Sequence, residues 1–192
     1  MKRRLLGLAF ELAETFAVAL VVVLAIQLFV AEPYRVKRPD MEGTLTPGQY
    51  LLVEKVSPLF DSYRQGDIVV FHAPSSWKPV TGSVAMRVIA VGGDTVDIHD
   101  GLVIVNGSIL QEPYVKTGDT TMPTDPSHHT WTLEPDQLFV MGDHRAASVD
   151  SRSYGPIAKS DVIGRIFVRY WPVGDFEIMQ PARPGAIPSE AP

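Results

Sequence analysis

The run Phe139-Val140-Met141-Gly142-Asp143-His144-Arg145-Ala146-Ala147-Ser148-Val149-Asp150-Ser151-Arg152-Ser153-Tyr154-Gly155 opens as a short apolar strand and turns, at Gly142, into a segment rich in paired charges. Outward from it the chain is built from similar β-type runs set between Gly, Pro and Asp. They are Tyr50 to Lys55, Asp67 to His72, Ala85 to Val91, Thr95 to Ile98, Leu102 to Val105, Gln137 to Met141 and Val162 to Tyr170. Asn106-Gly107 follows the fifth run and predicts a two-residue hairpin, because both turn positions need positive φ. Many short strands with turn residues between them, and no soluble helix of convincing length, predict an all-β domain. Lys116 to Thr130 reads as a long surface loop. Gln180 to Pro192, with four prolines and few apolar residues, reads as a flexible tail.

The 192 residues suffice for a membrane anchor and one folded domain. A net charge of −5 argues against a nucleic-acid partner, since no basic field gathers phosphates. The absence of cysteine excludes disulfides, thiolate zinc sites and cysteine nucleophiles. Met1-Lys2-Arg3-Arg4 precedes a mostly apolar stretch from Leu5 to Ala31, interrupted by Glu11, Glu14 and Gln27. Its charge-free core from Thr15 to Ala31 rises roughly 25 Å as a helix, and Leu8, Phe10 and Leu12 extend it to bilayer thickness. Glu11 and Glu14 then lie near the headgroups, because carboxylates are costly at the bilayer centre. A cleaved signal peptide is the competing reading. The length of the run and the bulky Phe29 in Phe29-Val30-Ala31 oppose it. Lys2, Arg3 and Arg4 before the span are balanced by Arg35, Lys37 and Arg38 after it, so charge does not fix the orientation.

Arg38-Pro39-Asp40-Met41-Glu42-Gly43-Thr44-Leu45 resembles the nucleophile box of bacterial type I signal peptidases, S-x-S-M-x-P-T-L. Val84-Ala85-Met86-Arg87-Val88-Ile89 resembles the lysine box of that family. Gly66 to Phe71 fits its G-D-I-V-V-F strand. Val105-Asn106-Gly107 with Glu112-Pro113-Tyr114 fits its V-N-G and E-P-Y hairpin, and Phe139 to Gly155 is similar to its F-V-M-G-D-N-R-x-x-S-x-D-S-R-x-x-G box. Ile163-Gly164-Arg165 and Arg169-Tyr170-Trp171-Pro172 complete the pattern, which runs from the anchor to about Met179.

The resemblance implies a mainly β, antiparallel signal-peptidase-like domain with one N-terminal transmembrane helix. It divides the chain into a cytoplasmic start and anchor at 1–31, an extracytoplasmic β domain at 32–179 and a Pro-rich tail at 180–192. The protein would then be single-pass in the cell membrane. Family members cut signal peptides from preproteins with a serine nucleophile and a neutral lysine. Met41, Arg87, Gly142, Asp143, Arg145, Ser148, Asp150, Ser151 and Arg152 are implied to support the site.

Here Asp40 stands at the nucleophile position and Met86 at the general-base position. A serine hydroxyl needs a base, and a lysine serves only when desolvation frees its neutral amine. Met86 does not titrate and suits an apolar slot, while Asp40 has no hydroxyl to activate. Arg38 stands where many members place an oxyanion-stabilising serine, and its long side chain is expected to reach water or lipid phosphate. Gly43 replaces a proline and is expected to loosen the loop. Losing one member of a catalytic unit costs on the order of 10⁶ in rate.

The expected protein is therefore a degenerate signal-peptidase homologue, able to bind extended or signal peptides along the strand edge near Met86. Asp40 would pair with Arg38 or Arg87 there, or repel acidic segments. Expected partners are the lipid bilayer, preproteins or an active paralogue, and no cofactor is called for. One alternative is an active endopeptidase with a replacement mechanism, through Lys37 as base or an Asp40 dyad with Asp143 or Asp150. Another is a structural membrane protein of an export complex. His128, His129 and His144 invite a metal reading, but lack carboxylate spacing, so no metal site is expected.

Overall fold

The computed structural model describes residues 2–56 and 62–182. Each apolar run becomes a strand whose burial follows its pattern. Tyr50–Glu54 (β2) alternates half-buried and buried residues, as a strand covered on one face does. Ile68–His72 (β3) and Ser83–Val91 (β4) are buried almost throughout, so both faces of the sheet are covered at their level. Thr95–His99 (β5), Leu102–Val105 (β6), Gln137–Met141 (β9) and Val162–Trp171 (β11) fall on the remaining runs. Asn106 and Gly107 take φ of 52° and 78° and join β6 to Ser108–Ile109 (β7), as the hairpin signal requires.

The strands without a sequence signal are Ala31–Arg35 (β1), Thr130–Thr132 (β8), Ile157–Ala158 (β10) and Glu177–Ile178 (β12). They are short, and all but β12, which folds back on β11, pair with segments well separated along the chain. The larger sheet runs β1-β2-β11-β3-β4-β9-β10, with β12 beside β11, and the smaller runs β7-β6-β5-β8. All the pairings are antiparallel.

Side chains alternate across β4, so it separates two cores. Val84, Met86 and Val88 pack with Val69, Phe71, Trp77, Val140 and Ile157. Ala85 joins Met41, Leu45, Leu51, Val53 and Val70 in the other. Ile89 and Ala90 reach a third cluster under the smaller sheet, with Val96, Ile98, Trp131 and Phe139. Each fully buried aliphatic side chain contributes roughly 1.5–3 kcal/mol of transfer free energy.

The expected edge near Met86 holds for only half of β4. From Arg87 to Val91 the strand is enclosed between β3 and β9. Ser83 to Met86 pair with β3 alone among the named strands.

Lys2–Phe29 forms a helix (α1) that leads directly into β1. Among the described residues no helix is long and apolar enough to cross a membrane. The stretch 117–129 is mostly exposed and irregular, as expected of a surface loop, although Thr121 is buried. Of the expected tail, 180–182 lack regular structure and 183–192 lie outside the described residues.

Candidate active site

Pro39–Met41 forms a single 3-10 turn with proline at its start, where a missing N–H costs nothing. Glu42 N–H donates to Pro39 O at 3.0 Å and Leu45 N–H to Met41 O at 2.7 Å. Gly43 adopts φ of +111°, which proline cannot reach, and a Cβ there would lie 3.2 Å from Tyr114 O. The expected loosening is thus not observed: glycine permits a tight, hydrogen-bonded turn of different shape.

That turn holds Asp40 at 2% exposure. Arg38 donates to it twice, from Nε to Oδ2 at 2.7 Å and from Nη2 to Oδ1 at 3.2 Å. The expectation that Arg38 points into water or lipid phosphate is therefore corrected, because the buried carboxylate captures the guanidinium. Hydrogen bonding to Asp40 raises the Arg38 pKa above its ordinary value. Arg87 takes no part in this pair. Asp40 O accepts from His144 N–H at 2.9 Å, which ties the turn to the segment after β9. Lys37 is exposed and Met86 is fully buried, so the structure does not bring these two together as a nucleophile pocket would need.

Met86 has 0% exposure and sits in the apolar cluster with Val140, against which Val149 also packs. Its thioether fills this slot without a hydrogen-bonding demand. Ser148 Oγ is buried and has no hydrogen-bond partner among the described residues. A Cβ built on Gly142 would meet both Ser148 Oγ and Asp40 O at 2.4 Å, so these three residues meet at one point. Only glycine allows that approach.

The charged box behind the turn is fully assembled. Arg87 donates to both Asp143 oxygens, at 2.8 and 2.6 Å, to Gly66 O at 3.0 Å and to Thr44 Oγ1 at 3.2 Å. Thr44 Oγ1 donates to Asp143 Oδ2 at 2.5 Å, and the Arg87 guanidinium lies 3.9 Å from the centre of the Tyr114 ring. Burial pushes the Tyr114 hydroxyl pKa far above its ordinary value. Arg145 donates to Gly142 O, to the Glu112 carboxylate and to Thr121. Asp150 caps the short helix Ser151–Tyr154 (α2), accepts from Gly142 N–H at 3.1 Å and takes both Arg152 Nε and Nη2 at 2.9 Å. Ser151 Oγ accepts from Val140 N–H at 3.0 Å.

Asp143 and Asp150 each have their own guanidinium, as does Asp40, so these contacts form three ion pairs and not an aspartic dyad. His129 and Asp97 form an exposed pair, and His128 packs on the Trp131 ring. His144 instead joins Lys116 and Glu42 at the rim, with Lys116 Nζ 2.8 Å from Glu42 Oε2 and 3.3 Å from His144 Nε2. Hydrogen bonding to Lys116 holds the Glu42 carboxyl below the ordinary range. Thr44, Glu112, Tyr114, Lys116 and Thr121 were not expected as site residues. Their signal lay in the T-L and E-P-Y motifs, which name residue types but not partners.

Residues 9–171 match the family described as signal peptidase, peptidase S26. A signal peptidase I of Leptolyngbya laminosa is 35% identical, over 83% of this chain and 78% of its own. A probable signal peptidase I-1 of Synechocystis is 38% identical, over 81% and 79%. Among solved structures, a signal peptidase I from Enterococcus faecalis V583 is 27% identical over 55% of this chain and 97% of its own, with a TM-score of 0.44. With the family match covering both the turn at Asp40 and the charged box at Asp143 to Arg152, this chain belongs to the signal peptidase S26 family.

Proposed function

We propose that this family member binds extended export-type peptides but does not cut them through a Ser/Lys mechanism. The observation that carries the reading is the replacement of both reactive groups within a retained frame. At the nucleophile position stands a buried carboxylate neutralised by Arg38, with no hydroxyl proton to give. At the base position stands Met86, buried in apolar contacts and unable to accept a proton.

Peptide binding rests on the side of Ser83 to Met86 that no named strand covers, a place for strand addition. The names of the relatives, signal peptidase I, support a role at exported preproteins. In this proposal α1 is a membrane anchor, the β domain is extracytoplasmic, and the partners are the bilayer, signal peptides and an active paralogue.

The test uses the purified full chain with a preprotein substrate. No cleavage is expected from the natural sequence, and slow cleavage from the double variant Asp40→Ser with Met86→Lys. Turnover by the natural chain that vanishes in Asp40→Ala would overturn the proposal in favour of a replacement mechanism.

A further inference from the structure

The larger sheet curls far enough to bring β1, at one end of its strand order, opposite the unpaired half of β4. Val88 exchanges its backbone hydrogen bonds with Gly66 and Asp67 just ahead of β3, and Ser83 and Ala85 have the opposite strand parity. Their backbone N–H and C=O groups therefore point to the side where β9 is absent. An added strand would have to pair with these groups.

They are not free. Tyr34 Oη donates to Ser83 O at 3.2 Å, and the Ala85 N–H lies against the same hydroxyl. The hydroxyl thus stands where the donor of an incoming peptide residue would. The cleft behind it, lined by Tyr34, Val36, Arg38, Asp40, Val84 and Ala85, has about 10 Å³ of free volume. That is roughly the minimum for a single water, so no peptide side chain enters while Tyr34 stays in place. The ring is half-buried and packs at the border of the Met41 and Leu51 cluster, while Pro33 and Arg35 beside it are exposed.

We infer that Tyr34 is a plug for the β4 edge: its hydroxyl satisfies Ser83 O and covers Ala85 N–H in the empty protein, and an extended peptide binds by displacing it. The inference rests on the peptide-binding reading above and adds the residue that controls access. Burial and the nearby Asp40 carboxylate push the Tyr34 hydroxyl up to about 12, so it keeps the proton it donates to Ser83 O throughout the ordinary pH range. Because the plug competes with ligand, removing it raises apparent affinity by the factor with which the closed state was favoured.

The experiment compares the full chain with Tyr34→Phe, which keeps the ring and removes the hydroxyl. Two readouts are taken. The first is hydrogen exchange at the Ala85 amide, expected to be at least tenfold faster in Tyr34→Phe without peptide. The second is binding of a short fluorescent peptide ending in Ala-x-Ala, expected to be about three- to tenfold tighter to Tyr34→Phe, the loss of one net hydrogen bond. A copy of that peptide N-methylated along its backbone is expected to lose the gain. Unchanged exchange at Ala85 would show that the contact does not close the edge and would overturn the plug. Faster exchange with equal or weaker peptide binding would overturn it as well, leaving peptide binding standing. If neither protein binds the peptide while Ala85 exchange does respond, the peptide-binding reading itself fails, and the plug with it.

Discussion

The turn at Asp40 and the charged box at Asp143 to Arg152 touch each other, yet they differ in what holds their charges. Within the box, the Arg87–Asp143 and Arg152–Asp150 pairs are almost entirely withdrawn from water and fix Gly66, Thr44, Gly142 and the start of α2. At the turn, Asp40 is buried but its partner Arg38 keeps 35% of its side chain exposed. In the box, Arg87, Asp150 and Arg152 are tied to backbone as well as to their charged partners. At the turn, the Arg38 and Asp40 side chains bond only to each other. Stability is therefore expected to rest on the box more than on the turn.

Breaking the box should show the largest effect. Asp143→Ala leaves Arg87 buried without its counter-charge, and thermal or urea unfolding is expected to report a loss of about 3–5 kcal/mol. A loss under about 1 kcal/mol would mean that the box is not the scaffold. Met86→Ala removes a fully buried side chain from the cluster behind the turn, and its expected cost is about 2–4 kcal/mol, read as a lower urea midpoint at unchanged slope. Asp40→Ala should cost only about 1 kcal/mol, because Arg38 can turn to solvent. Equal losses for Asp40→Ala and Asp143→Ala would erase the contrast between the regions.

The smallest effect is expected at the exposed Asp97–His129 pair on the smaller sheet, where Asp97→Asn should change stability at neutral pH by about 0.5 kcal/mol or less. His129 holds the Asp97 carboxyl below its ordinary value. The contribution is therefore present above the unfolded carboxyl pKa and lost as pH falls through the folded one. Acid titration of stability should show the two proteins converging at low pH, and a gap that widens on acidification would contradict this assignment.

The β runs could be read from the chain because alternation and turn residues are local properties, and Asn106-Gly107 needed only its own two dihedral angles. Strand β1 could not, since Ala31 continues the apolar stretch of α1 and its pairing with Glu54 depends on residues far along the chain. The pairing of Asp40 with Arg38 was among the expected options, but not its bidentate form in a closed turn. Arg145 with Glu112, Ser148 beside Asp40, and Tyr34 on Ser83 all depend on three-dimensional closure. Motifs supplied the residues in each case; curvature supplied the contacts.

The half-open edge of β4 has a consequence for the behaviour of the protein in concentrated solution. An unpaired strand backbone accepts any extended chain, including the same segment of another copy, and such edges nucleate aggregation. A tyrosine hydroxyl bound to Ser83 O and set against Ala85 withholds these groups from neighbours as well as from ligands. Colloidal solubility and ligand access are thereby joined in one side chain, so a variant selected for faster peptide capture at Tyr34 would also be one more prone to self-association.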